Sequence, residues 1–399
     1  MGAILPAVWP AGAGERELKY AVIVTRHGVR SPTWENARLN EYSAEPWPQW
    51  PVPPGNLTPH GRELIESMGG YYREWLAAER LLGAPGCQDA GRIYIRADAE
   101  QRTMETAQAF AESLAPRCGA AVHAETASGR DPLFSGFGKP DPQKMLAAVR
   151  ERLGGDPGKL MGEHRAALET LQSILRTPQP NTEPVGVALK GAAPELTGPF
   201  ATGSTFSEIL LLEYAEGLNG PDLGWGRMTR QQMEQALEVH AVYADLMRRT
   251  LYLARSRGSN LLSHVLRSLD QAVSGKPVAG AEGNPGDALL LLSGHDTNLS
   301  NLSGMLGLSW KLPGYPADDT PPGGALIFTL WRNAAGECEL RLKYVAQSPD
   351  QMRRADKLSL AAPPESQDVA LPGCAAGCPW ETARRLIEKA IDRDFVAKD

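Results

Sequence analysis

Apolar and polar positions along the 399-residue chain fall into a repeated block: a short apolar run, a polar stretch, then apolar residues at helical spacing. Ala21-Val22-Ile23-Val24 is β-branched and leads into Thr25-Arg26-His27-Gly28, which reads as a buried strand followed by a loop. Thr58-Pro59 then marks a helix start, a cap residue with proline at the first position, and Leu64, Ile65, Met68, Tyr71, Tyr72, Trp75 and Leu76 recur on one face. The second run, Ile93-Tyr94-Ile95, passes through Ala97-Asp98 into a helix carrying Met104, Ala107, Ala111 and Leu114 on one side and Arg102 in its first turn. The third, Ala288 to Leu292, runs into Ser293-Gly294-His295-Asp296 and a helical pattern through Leu299, Leu302 and Leu306. Strands alternating with helices predict an α/β fold with a mostly parallel central sheet flanked by helices. Such sheets bind ligands at the carboxyl ends of their strands.

Between Pro140 and Ser256 the pattern turns helical, with helices expected over Phe206 to Ala215 and Gln231 to Arg255. We therefore expect residues 15–139 and 257–399 to form the α/β core and 140–256 an inserted, smaller α-helical domain. Pro178 to Pro199, rich in Pro, Gly and Thr, reads as a long loop. Beyond Pro321-Pro322-Gly323-Gly324, the runs Ala325 to Leu330 and Leu340 to Val345 read as a hairpin added to the sheet.

Composition narrows the classes. With 42% hydrophobic and 22% charged residues, no stretch is polar enough to imply disorder. The net charge is -6 and Lys and Arg are scattered, so nothing resembles a footprint for nucleic acid or an anionic membrane. No apolar run approaches the roughly eighteen residues of a spanning helix. Ala3 to Val8 is a short apolar stretch interrupted by Pro6 and followed by Pro10, and Ala11-Gly12-Ala13 resembles a cleavage site; together they read as a trimmed or degenerate secretion signal. Of five cysteines, Cys374 and Cys378 suit either a small disulfide loop or half a metal site, though no second Cys or His pair lies nearby to complete the latter. A bridge from Cys87 to Cys118 would close a loop of about thirty residues, worth roughly 3 to 4 kcal/mol on the chain-entropy model, and leaves Cys338 over.

The chemistry concentrates in Arg26-His27-Gly28-Val29-Arg30-Ser31-Pro32-Thr33. Two guanidiniums that cannot shed their charge, set beside an imidazole on a loop leaving a buried strand, make sense when an anion lies between them. Each Arg offers a planar fork to phosphate oxygens, and the cationic surroundings keep His27 neutral and nucleophilic. Arg102 and His295 lie at strand ends of the same kind, which a parallel sheet brings to one edge. Asp296 beside His295 suits protonation of a leaving alkoxide; taken alone it reads first as a helix N-cap, and the same local geometry can serve both. His60, His123, His164, His240 and His264 have no ligand partners at metal spacing and read as surface or core residues. Gly158-Lys159 lacks the rest of a nucleotide-binding loop.

Arg26 to Pro32 resembles the RHGxRxP signature of histidine acid phosphatases, His295-Asp296 resembles their HD motif, and Asp98 to Thr103 resembles their second-arginine segment. Gly294 to Leu302 and Leu312 to Gly324 resemble bacterial phytases and glucose 1-phosphate phosphatases; only about Pro140 to Pro199 matches poorly. The resemblance implies an acid phosphomonoester hydrolase working without metal or other cofactor through a phosphohistidine on His27. Arg26, Arg30, Arg102 and His295 would hold the phosphoryl oxygens, Thr33 would join them, and Asp296 would donate the proton. It also implies bridges Cys87–Cys118 and Cys374–Cys378, a pocket-wall role for Glu208 (otherwise a solvated helix glutamate), and a periplasmic or secreted monomer acting on a small phosphate ester such as phytate or a sugar phosphate. Where bacterial phytases tend to carry a lysine after the signature threonine, this chain has Trp34, a stacking surface in place of a charge. The alternatives are a glucose 1-phosphate phosphatase and a phosphotransferase or mutase of the wider superfamily, the latter disfavoured by Asp296. A non-catalytic phosphate binder would be expected to lack the nucleophile or the acid.

Overall fold

The computed structural model describes residues 16–83, 87–125, 130–177 and 182–398. The stretch read as a secretion signal lies outside them. The strands are β1 (Glu17–Arg26), β2 (Ile93–Ala97), β3 (Val122–Ala124), β4 (Gly186–Lys190), β5 (Ala193–Thr197), β6 (Leu289–Gly294), β7 (Ala325–Arg332), β8 (Cys338–Ala346), β9 (Glu365–Val369) and β10 (Cys378–Pro379). The longer helices are α1 (Pro59–Ala78), α2 (Gln101–Leu114), α3 (Pro142–Leu153), α4 (Arg165–Leu175), α5 (Pro199–Ala215), α6 (Arg230–Arg248), α7 (Leu251–Ser274), α8 (Asp296–Leu306) and α9 (Trp380–Ala390).

The central sheet is mixed, in the order β10-β8-β7-β1-β6-β2-β3 with β9 on β8. The four strands β1, β6, β2 and β3 run parallel to one another. The expected hairpin β7–β8 extends the sheet antiparallel from β1. Alternation of side chains across the pleat explains the layers. Val22, Val24, Leu290, Leu292, Leu326 and Phe328 face the core shared with α3 to α7. Ala21, Ile23, Leu289, Leu291, Ile95 and Ile327 face the core of α1 and α2. A strand covered on both sides reads as an unbroken apolar run, which is why β1 and β6 stood out in sequence. Truncating Ile23, fully buried, to Ala would cost about 2 to 5 kcal/mol through lost transfer energy and a residual cavity.

Two segments differ from the sequence reading. The helix expected over Gln231 to Arg255 is two, α6 and α7. The Thr250 hydroxyl donates to the Leu246 carbonyl at 2.6 Å and closes α6, and a β-carbon at Gly304 would lie only 2.7 Å from Arg249 Cα, so α8 docks against the break. The Pro178–Pro199 loop, apart from residues 178–181 outside the described set, contains the hairpin β4–β5, turned at Gly191 with φ of 63°. Among the described residues no helix is long and apolar enough to cross a membrane.

Candidate active site

Strand register brings the chemistry to one edge. β1 sets Arg26 beside Gly294, and β6 sets Ser293 beside Ala97. The chain therefore leaves three adjacent parallel strands as His27, His295 and Asp98. The His27 amide donates to the Gly294 carbonyl at 2.9 Å and Gly323 donates to the His27 carbonyl at 2.9 Å, so both sides of the loop are pinned. The start of α1 presses on it too: a β-carbon at Gly61 would lie 2.1 Å from the Val29 carbonyl oxygen, a contact only glycine permits.

His27 is 2% exposed, with Nδ1 2.8 Å from the Gly28 carbonyl oxygen. A carbonyl only accepts, so Nδ1 carries the hydrogen and the lone pair of a neutral ring sits on Nε2. Burial, then Arg26, Arg30 and Arg102, push the imidazole well below its usual value and keep it uncharged. Edge-on to it stands His295, ring centroids 5.6 Å apart. His295 Nε2 lies 2.8 Å from Asp98 Oδ2 and thus donates to it.

Three guanidiniums surround the pair. Arg26, buried on β1, donates Nη1 to the Thr320 carbonyl at 2.7 Å and Nη2 to Glu208. Arg30 donates to the Ser31 carbonyl at 3.0 Å and to Glu208 Oε2 at 3.2 Å. Arg102, on α2, pairs with Glu100 and reaches the Gly55 carbonyl at 3.4 Å. In all three the Nε hydrogen is buried and has no acceptor among the described residues. Buried donors without acceptors are costly, and a cluster of guanidiniums carrying them is the chemistry that an anionic ligand suits.

Asp296, at the start of α8, accepts from Arg248 Nη1 at 2.7 Å on Oδ2 and from the Thr297 amide at 2.8 Å on Oδ1, with Arg26 Nη2 at 4.0 Å. Burial opposes its charge, but Arg248 and Arg26 outweigh burial and hold the carboxyl well below the usual carboxylate range. Glu208, on α5, is similarly drawn down to about 2, burial being overcome by Arg30 and Arg26. Buried His240 joins them, its ligand atoms within 4.8 Å of both carboxylates. This trio has metal-like spacing. However, Arg26, Arg30 and Arg248 already engage both carboxylates, so the donor set suits guanidinium better than a divalent ion.

Thr33 lies near Arg102, and Trp34 follows it in the chain. Thr33 is exposed, and a β-carbon at Gly55 would lie 3.6 Å from both Thr33 Cγ2 and Arg102 Nη1. Trp34 packs edge-on to Phe206, centroids 6.1 Å apart, and the Arg38 guanidinium covers its ring at 3.4 Å. The ring face read from sequence as a stacking surface thus already carries a cation. Both disulfides form, Cys87–Cys118 and Cys374–Cys378, and Cys338 is free. His240, read from sequence as a bland residue, and Arg248, not singled out at all, both enter the site from α6. Arg248 ends its helix, where a cation is ordinary, so the linear pattern held no signal for it.

The family model described as "Histidine phosphatase superfamily (branch 2)" matches residues 17–173 and 206–347. The chain is 37% identical over 383 residues to phytase AppA of Escherichia coli (strain K12), covering 90% of this chain and 88% of that protein. It is 26% identical over 397 residues to a glucose-1-phosphatase of Providencia rettgeri, covering 94% and 92%. Among solved structures it is similar to Hafnia alvei phytase in complex with tartrate (TM-score 0.89, 35% identity, 97% and 100% covered). It is also similar to the phytase from Citrobacter braakii (TM-score 0.86, 32% identity, 96% and 100% covered).

Proposed function

The chain belongs to branch 2 of the histidine phosphatase superfamily, and from that premise we propose that His27 is its nucleophile and phytate-like or sugar phosphate monoesters its substrates. As a histidine acid phosphatase it hydrolyses phosphate monoesters. The observation that carries the site assignment is a neutral imidazole amid three guanidiniums whose buried Nε donors have no acceptor among the described residues.

His27 Nε2 attacks phosphorus in line with the ester oxygen; an N–P bond forms as the P–O bond breaks, and Asp296 protonates the departing alkoxide. Water then attacks the phosphohistidine, giving up a proton to the Asp296 carboxylate as the N–P bond breaks, which releases phosphate and restores both Nε2 and the acid. Arg26, Arg30, Arg102 and His295 hold the equatorial oxygens, with Thr33 beside Arg102. In the unliganded site Asp296 is a carboxylate. A phosphate dianion beside it opposes that charge and engages Arg26, so substrate binding itself favours the acid form needed for donation. We read the helices of 140–256 as a cap that carries Glu208, His240 and Arg248 to the site. Trp34 with Arg38 over it lines the substrate side, so a positive charge stands where Trp34 alone would supply none. The two disulfides support a periplasmic or secreted location.

The test is phosphate release from phytate, glucose 1-phosphate and p-nitrophenyl phosphate across pH. The reading expects turnover of alkyl phosphates that declines as pH rises above the carboxylate range. A rate unchanged from pH ~4 to ~8 would remove Asp296 as the acid. Loss of the Arg38 cation in Arg38→Ala should lower preference for phytate over p-nitrophenyl phosphate; an unchanged ranking would remove the Trp34–Arg38 pair from the substrate side.

A further inference from the structure

Two consecutive arginines, Arg248 as the last residue of α6 and Arg249 as its C-cap, do different work. Arg249 ties the fold together, donating to Ser303 Oγ at 2.6 Å and the Leu308 carbonyl at 2.9 Å and pairing with Asp318 at 3.1 Å. Arg248 turns the other way. Its side chain is 12% exposed, and among the described residues its one hydrogen-bond acceptor is Asp296 Oδ2, at 2.7 Å. The same oxygen is the one that faces Arg26 at 4.0 Å and hence the arginine cluster. The other oxygen, Oδ1, is fixed by the Thr297 amide. Arg249 spreads its contacts over a hydroxyl, a carbonyl and the carboxylates of Asp245 and Asp318, as a guanidinium that braces a helix end does, whereas Arg248 has a single acceptor among the described residues. That acceptor is the carboxyl assigned to proton donation.

We propose that Arg248 is a positioning residue of the reaction, one that aims Asp296 Oδ2 at the leaving-group oxygen and ties delivery of its proton to the arrival of a phosphate ester. The inference rests on the general-acid reading of Asp296. Once protonated, Oδ2 keeps a lone pair for the Arg248 N–H while its own O–H points at the ester oxygen. The proton passes to that oxygen as the P–O bond breaks, and Asp296 returns to the carboxylate that Arg248 holds. The charged and titratable groups facing Asp296 are Arg26 from β1, Glu208 from α5, His240 and Arg248 from α6, Arg102 from α2 and Tyr344 from β8. A bound dianion engages Arg26 and Arg102. Arg248, hydrogen-bonded to the carboxyl itself, remains.

The test compares kcat/KM against pH for wild type, Arg248→Gln and Arg248→Lys, with an alkyl ester, glycerol 2-phosphate, and with p-nitrophenyl phosphate, whose leaving group departs without needing a proton. Glutamine should cut the alkyl rate about tenfold or more while lowering the aryl rate by only a few-fold. It should also move the alkaline limb of the alkyl profile to higher pH, since a cation that favoured the carboxylate is gone. Lysine, keeping charge without the planar fork, should restore the limb position and part of the alkyl rate. An alkyl-to-aryl ratio equal to wild type in either variant, with its melting temperature retained, overturns the proposal. If Gln does not fold, the ratio in Lys decides. Asp296→Asn separates the two claims: if it too leaves the ratio unchanged, the general-acid reading itself has failed, whereas a ratio that falls there but not in the Arg248 variants removes only the role of Arg248.

Discussion

His295 Nε2 donates to Asp98 Oδ2 at 2.8 Å, across the carboxyl ends of two neighbouring parallel strands. That bond fixes the imidazole ring. Burial acts against the Asp98 charge, yet the bonds from His295 and the Ala99 amide pull the carboxyl below its usual value, so it is an anion when the ring needs one. Asp98→Asn should therefore lower kcat/KM by about ten- to a hundredfold, the cost of a charge-assisted hydrogen bond, without changing the melting temperature much. Steady-state kinetics beside a thermal melt checks this.

The proposed attack by His27 requires a neutral ring, and the imidazole is held neutral by burial first and then by Arg26, Arg30 and Arg102. Activity should thus persist as pH falls below 6.5, where a free imidazole would charge. Arg102→Met should lower kcat by about a hundred- to a thousandfold through lost stabilisation of the phosphoryl oxygens. It should also shift the acid limb of the residual kcat/KM profile to higher pH, because one of the cations that resist protonation of His27 is gone.

Glu213, fully buried on α5, receives the Gly224 amide at 2.9 Å on one oxygen while the other has no partner among the described residues. Burial raises it to about 8. The folded carboxyl then stays protonated while the unfolded one ionises above about 4.3, so unfolding releases a proton and stability falls as pH rises between those values. Glu213→Gln should raise the melting temperature by several degrees at pH ~8 and leave it nearly unchanged at pH ~4. Differential scanning calorimetry at both pH values reads the difference.

The two disulfides differ in what they close. Cys87–Cys118 spans 31 residues and Cys374–Cys378 spans 4. On the chain-entropy model the first contributes about 3.7 kcal/mol and the second about 2. Double Cys→Ser replacement should lower the urea midpoint more for the first pair than for the second, and the reverse order would show native contacts outweighing loop closure.

How far the site could be read from sequence follows from how each part is encoded. β1 and β6 are apolar on both faces because helices cover both, and that continuity marks strands whose ends face a common edge. His27, His295 and Asp296 directly follow such strands and Arg102 lies a few residues past the neighbouring parallel strand β2, so their placement at one edge was legible. Nothing comparable marks His240 and Arg248. They sit two turns apart on α6, and their approach to Asp296 depends on how that helix packs on α5 and α8 rather than on local periodicity. The β4–β5 hairpin escaped because its few inward residues, Val187 and Leu196, are separated by Gly191 and Pro194, which read as a loop. The α6–α7 break escaped because Arg249 and Thr250 interrupt no apolar stripe. It is set by the Thr250 hydroxyl and by close approach of Gly304.

The most direct test of a covalent step at His27 is a millisecond quench into alkali during turnover of a 32P-labelled monoester, followed by peptide mapping. Phosphohistidine survives alkali, so label should appear on the peptide containing His27 at near-stoichiometric levels and be absent from His27→Ala. Label on another residue, or a His27→Ala enzyme that keeps wild-type turnover, would contradict it.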